Sequence, residues 1–139
     1  MRERLARRGF DDDTVADVMA RLESAGLLDD EDFAAEWVRS RHTHSGRGRI
    51  ALRHELKAKG VDADTIEGAL SDIDPEDERA AAARLVAAKL TPRVIEELDD
   101  RVKRDKHFRR LVGMLVRRGY RQSMAIDVIN EHLESARQQ

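Results

Sequence analysis

A six-residue pattern that occurs three times constrains this chain more than any other feature. Leu5-Ala6-Arg7-Arg8-Gly9-Phe10, Leu56-Lys57-Ala58-Lys59-Gly60-Val61 and Leu115-Val116-Arg117-Arg118-Gly119-Tyr120 each set a leucine, two intervening residues, a cation, a glycine and an apolar residue in order. A glycine that closes an amphipathic run and precedes an apolar residue is the chemistry of a helix end. Glycine accepts the left-handed conformation at C′, and the apolar C″ side chain folds back on the last turn. The similarity continues past the glycine. Val15, Val18, Met19 and Leu22 in the first copy correspond to Ile66, Ala69, Leu70 and Ile73 in the second. The third copy has Ala125, Val128 and Ile129 at those offsets, with Leu133 one place late. The glycines stand 51 and 59 residues apart, room for a three-helix unit. The chain therefore reads as tandem three-helix repeats: an incomplete first repeat over 1–28, a second over 29–74 and a third over 75–139. Only four residues precede Leu5, so the first unit lacks its opening helix and the chain reads as starting inside a repeat of a longer parent.

The fold class expected is all-α. Apolar spacing follows the helical i, i+3, i+4, i+7 rule, as in Phe108, Leu111, Val112 and Leu115, and no stretch alternates long enough for a strand. Hydrophobic residues are 40% of the chain, but 18 of them are alanine, which suits helices sharing a narrow seam. Start and stop signals place helices over 1–8, 12–25, 30–43, 47–59, 63–73, 75–90, 100–118 and 122–136. Asp29 is an expected N-cap with Asp32 at N3 and a Leu28–Phe33 staple. Asp74-Pro75 and Thr91-Pro92 each set a capping side chain before a proline at the first helical position. Gly9, Gly26, Gly60 and Gly119 are expected helix ends.

The chemistry-bearing residues make no catalytic constellation. Without cysteine there is no disulfide, thiolate metal site or sulfur nucleophile, and no segment reads as a signal peptide or membrane span. The acidic runs Asp11–Asp13 and Asp29–Asp32 lack the calcium-loop alternation and fall where a helix dipole favours carboxylates. His42 and His44 are spaced wrongly for a helical metal pair. All five histidines, with His54, His107 and His132, read as surface residues. Gly46-Arg47-Gly48-Arg49-Ile50-Ala51 formally fits a dinucleotide-binding fingerprint, but a helix precedes it where a strand is required. It reads as a flexible link, although a helix start flanked by Arg47 and Arg49 suits an anion. Trp37 shares a stripe with Phe33 and reads as core. No enzyme activity, metal or cofactor is expected.

Charge carries more information than its total. The formal net charge is -2, yet residues 26–38 carry -5, 39–59 carry +6, 60–78 carry -8 and 101–121 carry +8. Like charges held so close repel one another. The functional reading is a pair of basic strips. One holds Arg39, Arg41, Arg47, Arg49, Arg53, Lys57 and Lys59; the other holds Arg101, Lys103, Arg104, Lys106, Arg109, Arg110, Arg117, Arg118 and Arg121. Solvated helix faces are the plain alternative, and Arg8, Lys59 and Arg118 precede C′ glycines, where a cation is favoured structurally. Aromatic residues for base stacking are nearly absent among these strips.

Several of these segments together resemble the RecX family, bacterial regulators of the RecA recombinase. They are Gly26-Leu27-Leu28-Asp29-Asp30-Glu31-Asp32-Phe33-Ala34, Trp37-Val38, Arg41, Gly46, Glu55-Leu56-Lys57-Ala58-Lys59-Gly60-Val61 and Leu115–Tyr120. The family's usual amino-terminal part is missing, and residues 91–100 show no family pattern. The resemblance implies a cytoplasmic, monomeric, non-enzymatic modulator whose repeats form an elongated, curved array. It implies that the array lies in the groove of the RecA filament, reaching single-stranded DNA through it, and inhibits ATP hydrolysis, strand exchange and coprotease activity. Basic strips suit such a groove. On charge alone the candidate contacts are Arg41, Arg47, Arg49, Arg53, Lys57 and Lys59 in one strip, with Arg109, Arg110, Arg117, Arg118 and Arg121 in the other. The competing reading is a helix-turn-helix-like module that binds DNA without RecA.

Overall fold

The computed structural model describes residues 29–138 together with Asp17. The expected helices over 1–8 and 12–25, the run Asp11–Asp13, Leu28, Gly9 and Gly26 lie outside the described residues. Residues 29–138 form seven helices and no strand. They fall into two compact units that divide between Ile73 and Asp74.

The first unit contains α1 (Asp30–Ser45), α2 (Arg49–Ala58) and α3 (Ala63–Leu70). Its core gathers Phe33, Ala34, Trp37 and Val38 from α1, Leu52 and Leu56 from α2, and Ile66, Ala69 and Leu70 from α3. The spacing on each helix buries one stripe and leaves the charged faces in water. Val61 and Ile73, just beyond the ends of α2 and α3, complete this core. Asp29 caps α1 by accepting from the Asp32 amide at 2.8 Å, and Asp62 caps α3 by accepting from the Thr65 amide at 2.8 Å. The Thr65 amide and hydroxyl hold the Asp62 carboxyl below its ordinary pKa.

The second unit contains α4 (Pro75–Lys89), α5 (Pro92–Glu97), α6 (Arg101–Arg117) and α7 (Gln122–Arg137). Ala82, Val86, Leu98, Leu111, Leu115, Tyr120, Val128 and Ile129 are buried together, along with Ala125, Leu133 and Ala136. Asp74 caps α4, with Pro75 at the first helical position, and Arg79 ties α4 to α7 through Glu131 at 2.5 Å.

The repeated pattern is the same helix end at two described positions. After α2, Val61 N–H donates to Leu56 O at 3.1 Å and Gly60 N–H to Lys57 O at 3.0 Å, with Gly60 at φ 84°. After α6, Tyr120 N–H donates to Leu115 O at 3.0 Å and Gly119 N–H to Val116 O at 3.0 Å, with Gly119 at φ 98°. These are Schellman closures, in which the pattern's leucine supplies the accepting carbonyl and a core side chain at once.

Three local expectations need correction. No helix is expected between 90 and 100, yet Thr91-Pro92, the helix start expected there, opens a helix of its own, α5; Thr91 caps it, and Leu98 just beyond it is fully buried. Gly46-Arg47-Gly48 is a set turn and not a flexible link. Gly46 takes φ 62°, its N–H donates to His42 O, and the His42 ring meets Arg47 O at 2.8 Å, so α2 starts at Arg49 instead of residue 47. The histidines are not all surface groups either: His42, His107 and His132 are half-buried and hydrogen-bonded, while His44 and His54 are exposed.

Candidate functional site

The two basic strips differ in what their cations do. In the first unit, Arg41 reaches from α1 to Glu55 on α2 with both ends of a fork, Nε to Oε1 at 3.1 Å and Nη2 to Oε2 at 3.0 Å. The Trp37 indole N–H donates to the same Oε1 at 2.8 Å. The Arg41 and Glu55 side chains are 12% and 21% exposed, so this bidentate pair is largely shielded from water and holds α1 to α2. The Trp37 ring also receives two cations, with the Arg41 guanidinium 5.6 Å and the Lys59 ammonium 5.2 Å from its centroid. Trp37 is 3% exposed, in keeping with a core role.

Arg53 and Arg49 are engaged as well. Arg53 grips Glu67 on α3 at 2.7 and 3.1 Å, and this contact lowers the Glu67 pKa. Arg49 donates to the carbonyl of Ile73, just past the end of α3. Arg47 is half-buried, and its Nε is buried without a partner among the described residues. Lys57 is exposed. The first strip is thus mostly the means by which α2 is fastened to α1 and α3.

The second strip divides along α6. Near the amino end its cations fasten α5. Arg104 donates to Leu98 O at 2.9 Å, His107 Nε2 meets Glu97 Oε1 at 3.0 Å, and Lys103 stands 3.9 Å from the other Glu97 oxygen. The His107 contact is the main cause of a Glu97 pKa below the ordinary carboxylate value. Further along, Lys106, Arg109, Arg110, Arg117 and Arg121 are exposed and carry no ion pair among the described residues. Asp105 is the only acidic residue from Arg101 to Ile126. Arg118 is half-buried beside Tyr120 and has an interaction of its own, so it does not belong with the open group.

Helix starts show the same bias. Asp29, Asp62, Asp74, Thr91 and Asp100 cap α1, α3, α4, α5 and α6. Among the described helices only α2 and α7 lack a side-chain cap, and they begin at Gly48-Arg49 and Arg121-Gln122 without an acidic residue in the first turn. A cation at a helix amino end opposes the dipole, so both starts forgo stability of roughly 0.3–1 kcal/mol apiece.

Sequence reasoning found the cations and missed their partners. Glu55 lies amid a basic segment, Glu67 in an acidic one and Glu97 at the end of a short helix, and only tertiary packing brings them to Arg41, Arg53 and His107. It also passed over Val102 and Val116, apolar residues 77% and 44% exposed among the open cations of α6. Among the described residues no helix is long and apolar enough to cross a membrane.

Comparison with known proteins agrees with this architecture. The family model described as RecX, second three-helix domain, matches residues 29–70. The chain is 51% identical over 134 residues to the Regulatory protein RecX of Mycolicibacterium vanbaalenii, covering 96% of this chain and 73% of that one. It is 52% identical over 135 residues to the Regulatory protein RecX of Mycolicibacterium smegmatis, covering 96% and 70%. A crystal structure of regulatory protein RecX shares the fold with a TM-score of 0.59 at 21% identity, over 93% of this chain and 60% of that one. About half the residues are identical to these relatives over nearly the whole chain, and on that ground the chain belongs to the RecX family of regulatory proteins.

Proposed function

We propose that this chain is a negative regulator of RecA that docks in the groove of the RecA filament on single-stranded DNA and restrains ATP hydrolysis, strand exchange and coprotease activity. The observation that carries this reading is the open cation group of α6 and the α7 start. Lys106, Arg109, Arg110, Arg117 and Arg121 stay exposed there without an ion pair among the described residues, with Asp105 the single acidic residue from Arg101 to Ile126, whereas Arg41 and Arg53 are engaged with Glu55 and Glu67. Such a group gains from meeting a partner that brings negative charge. In this reading the protein works as a cytoplasmic monomer without a cofactor, its two described units are the second and third repeats, and it touches DNA through the filament. Arg109, Arg110, Arg117 and Arg121 make the main contacts. Lys57, Lys59 and Arg47 add to them from the first unit, while Arg41, Arg49, Arg53 and Arg118 act chiefly by holding the scaffold.

The test is RecA's DNA-dependent ATPase, titrated with this chain from substoichiometric ratios. Wild type is expected to inhibit, and the variant R109E/R110E/R117E/R121E to need at least about tenfold more protein, the equivalent of roughly 1.4 kcal/mol. Equal inhibition by the variant would remove α6 from the interface. A wild-type chain that leaves the ATPase untouched but shifts duplex DNA in a low-salt gel would replace this reading with a direct DNA-binding module.

A further inference from the structure

The exposed side of α6 has an order that its charge does not require. Val102, Lys106, Arg109, Gly113 and Val116 are separated by four, three, four and three residues. At about 100° per residue they form a single line within about 40° of its centre, some 21 Å from end to end. That 3.5-residue spacing is the seam by which one helix meets another. On the opposite side, Leu111 and Leu115 already occupy the core, so this is a second seam. It is open: Val102 is 77% and Val116 44% exposed, and Lys106 and Arg109 between them are exposed. A β-branched residue is a poor choice for a solvated helix position, and two of them end this line. The smallest residue lies inside it. At Gly113 an added Cβ would come within 3.0 Å of the Arg117 Nη1 atom and would meet no other group, so only the flexible end of Arg117 covers the notch.

We propose that this face of α6 receives an acidic amphipathic helix from a protein partner, apolar at its two ends and carboxylate-rich between them. The valines would take the apolar ends, Gly113 would permit close backbone approach, and Lys106 and Arg109 would face the carboxylates, with Arg110 and Arg117 along one flank. A phosphate backbone explains the cations alone. It has no use for two exposed valines or for a notch, and no aromatic residue lies on the face to stack a base. The inference deepens the regulatory reading above, since it specifies which chemistry of the filament, protein or nucleic acid, meets α6.

The probes are a synthetic helical peptide of about six turns with leucines at 3.5-residue spacing near its ends and glutamates centrally, a scrambled peptide of the same composition, and an oligothymidylate. Each is titrated by calorimetry into the full chain, the double variant V102S/V116S and the variant Gly113→Leu. The helical peptide is expected to bind at least about tenfold tighter than the scrambled one, and to lose about that factor in both variants. Gly113→Leu replaces a helix-interior glycine and displaces only Arg117, so its thermal midpoint should equal or exceed wild type, which separates loss of binding from loss of fold. Equal binding of the two peptides, or oligothymidylate binding that ignores both variants, would overturn the proposal in favour of diffuse charge or a phosphate surface. RecA filaments assembled on single-stranded DNA are then added as competitor. Peptide binding that the filaments do not displace keeps this inference and counts against the RecA reading. ATPase inhibition by a chain that does not bind the helical peptide does the reverse.

Discussion

Glu55 holds three hydrogen-bond donors from α1: one indole N–H and two from the Arg41 guanidinium. Removing it strands a buried Trp37 donor and a mostly buried cation together, a heavier penalty than losing a surface pair. Glu55→Ala is expected to destabilise the chain by about 2–4 kcal/mol, read as a lower urea midpoint in circular dichroism. Arg53→Ala, which breaks an exposed pair with Glu67, should cost under about 1 kcal/mol in the same assay. Tyr120 supplies a pH prediction. Burial, helped by the nearby Glu78 carboxylate, pushes its phenol from 10.0 up to about 12. The folded chain therefore favours the neutral phenol, and its contribution is intact below pH 10 and is lost as pH rises from there toward 12. That rise in pKa corresponds to roughly 3 kcal/mol as an upper figure. Stability measured from pH 9 to 12 should fall less steeply in Tyr120→Phe than in wild type.

Among the elements, what could be read from sequence was what neighbours in the chain decide. Asp29, Asp74 and Thr91 act within three residues of themselves, and Gly60 and Gly119 close the helix they follow, so those caps were legible from residue type and spacing. Thr91-Pro92 was legible as a start, but not the helix it opens, because six residues are too few to show the i, i+3, i+4, i+7 repeat of an apolar stripe; α5 is secured by Leu98 burial and the Glu97–His107 contact instead. Likewise the turn at Gly46–Gly48 depends on a His42 ring that only the folded α1 brings into reach. Of the candidate site, the location of positive charge was legible and its availability was not. Whether Arg41 or Arg109 meets a carboxylate is decided by residues far away in the chain. The helix ends also yield a paired test. Gly60 sits at φ 84° with open space where a Cβ would go, so Gly60→Ala meets backbone strain alone and should cost about 1–2 kcal/mol. Gly68 lies within α3 with equal space, so Gly68→Ala should stabilise by about 0.5–1 kcal/mol. Urea denaturation of the two variants should move in opposite directions.

For the whole molecule, the two cores share no residue. In repeat proteins each unit has an intrinsic stability of its own beside the terms between neighbours. Leu115→Ala, at a fully buried position, should cost the second unit about 2–5 kcal/mol. Amide hydrogen exchange should then quicken through α4, α6 and α7, while α1, α2 and α3 keep most of their protection. Exchange that quickens equally in both units would show that they unfold as one. The same separation gives each unit its own balance of charge. In the first, Arg41, Arg49 and Arg53 are engaged in joining its elements, and the second keeps Arg109, Arg110, Arg117 and Arg121 in water. The Trp37 arrangement has an optical consequence. It is the chain's one indole, and the ammonium of Lys59, an exposed residue at the end of α2, lies over its ring. Anything that draws Lys59 toward an anion changes the field at that ring, so the intrinsic emission of the unlabelled protein reports on events at the far end of α2.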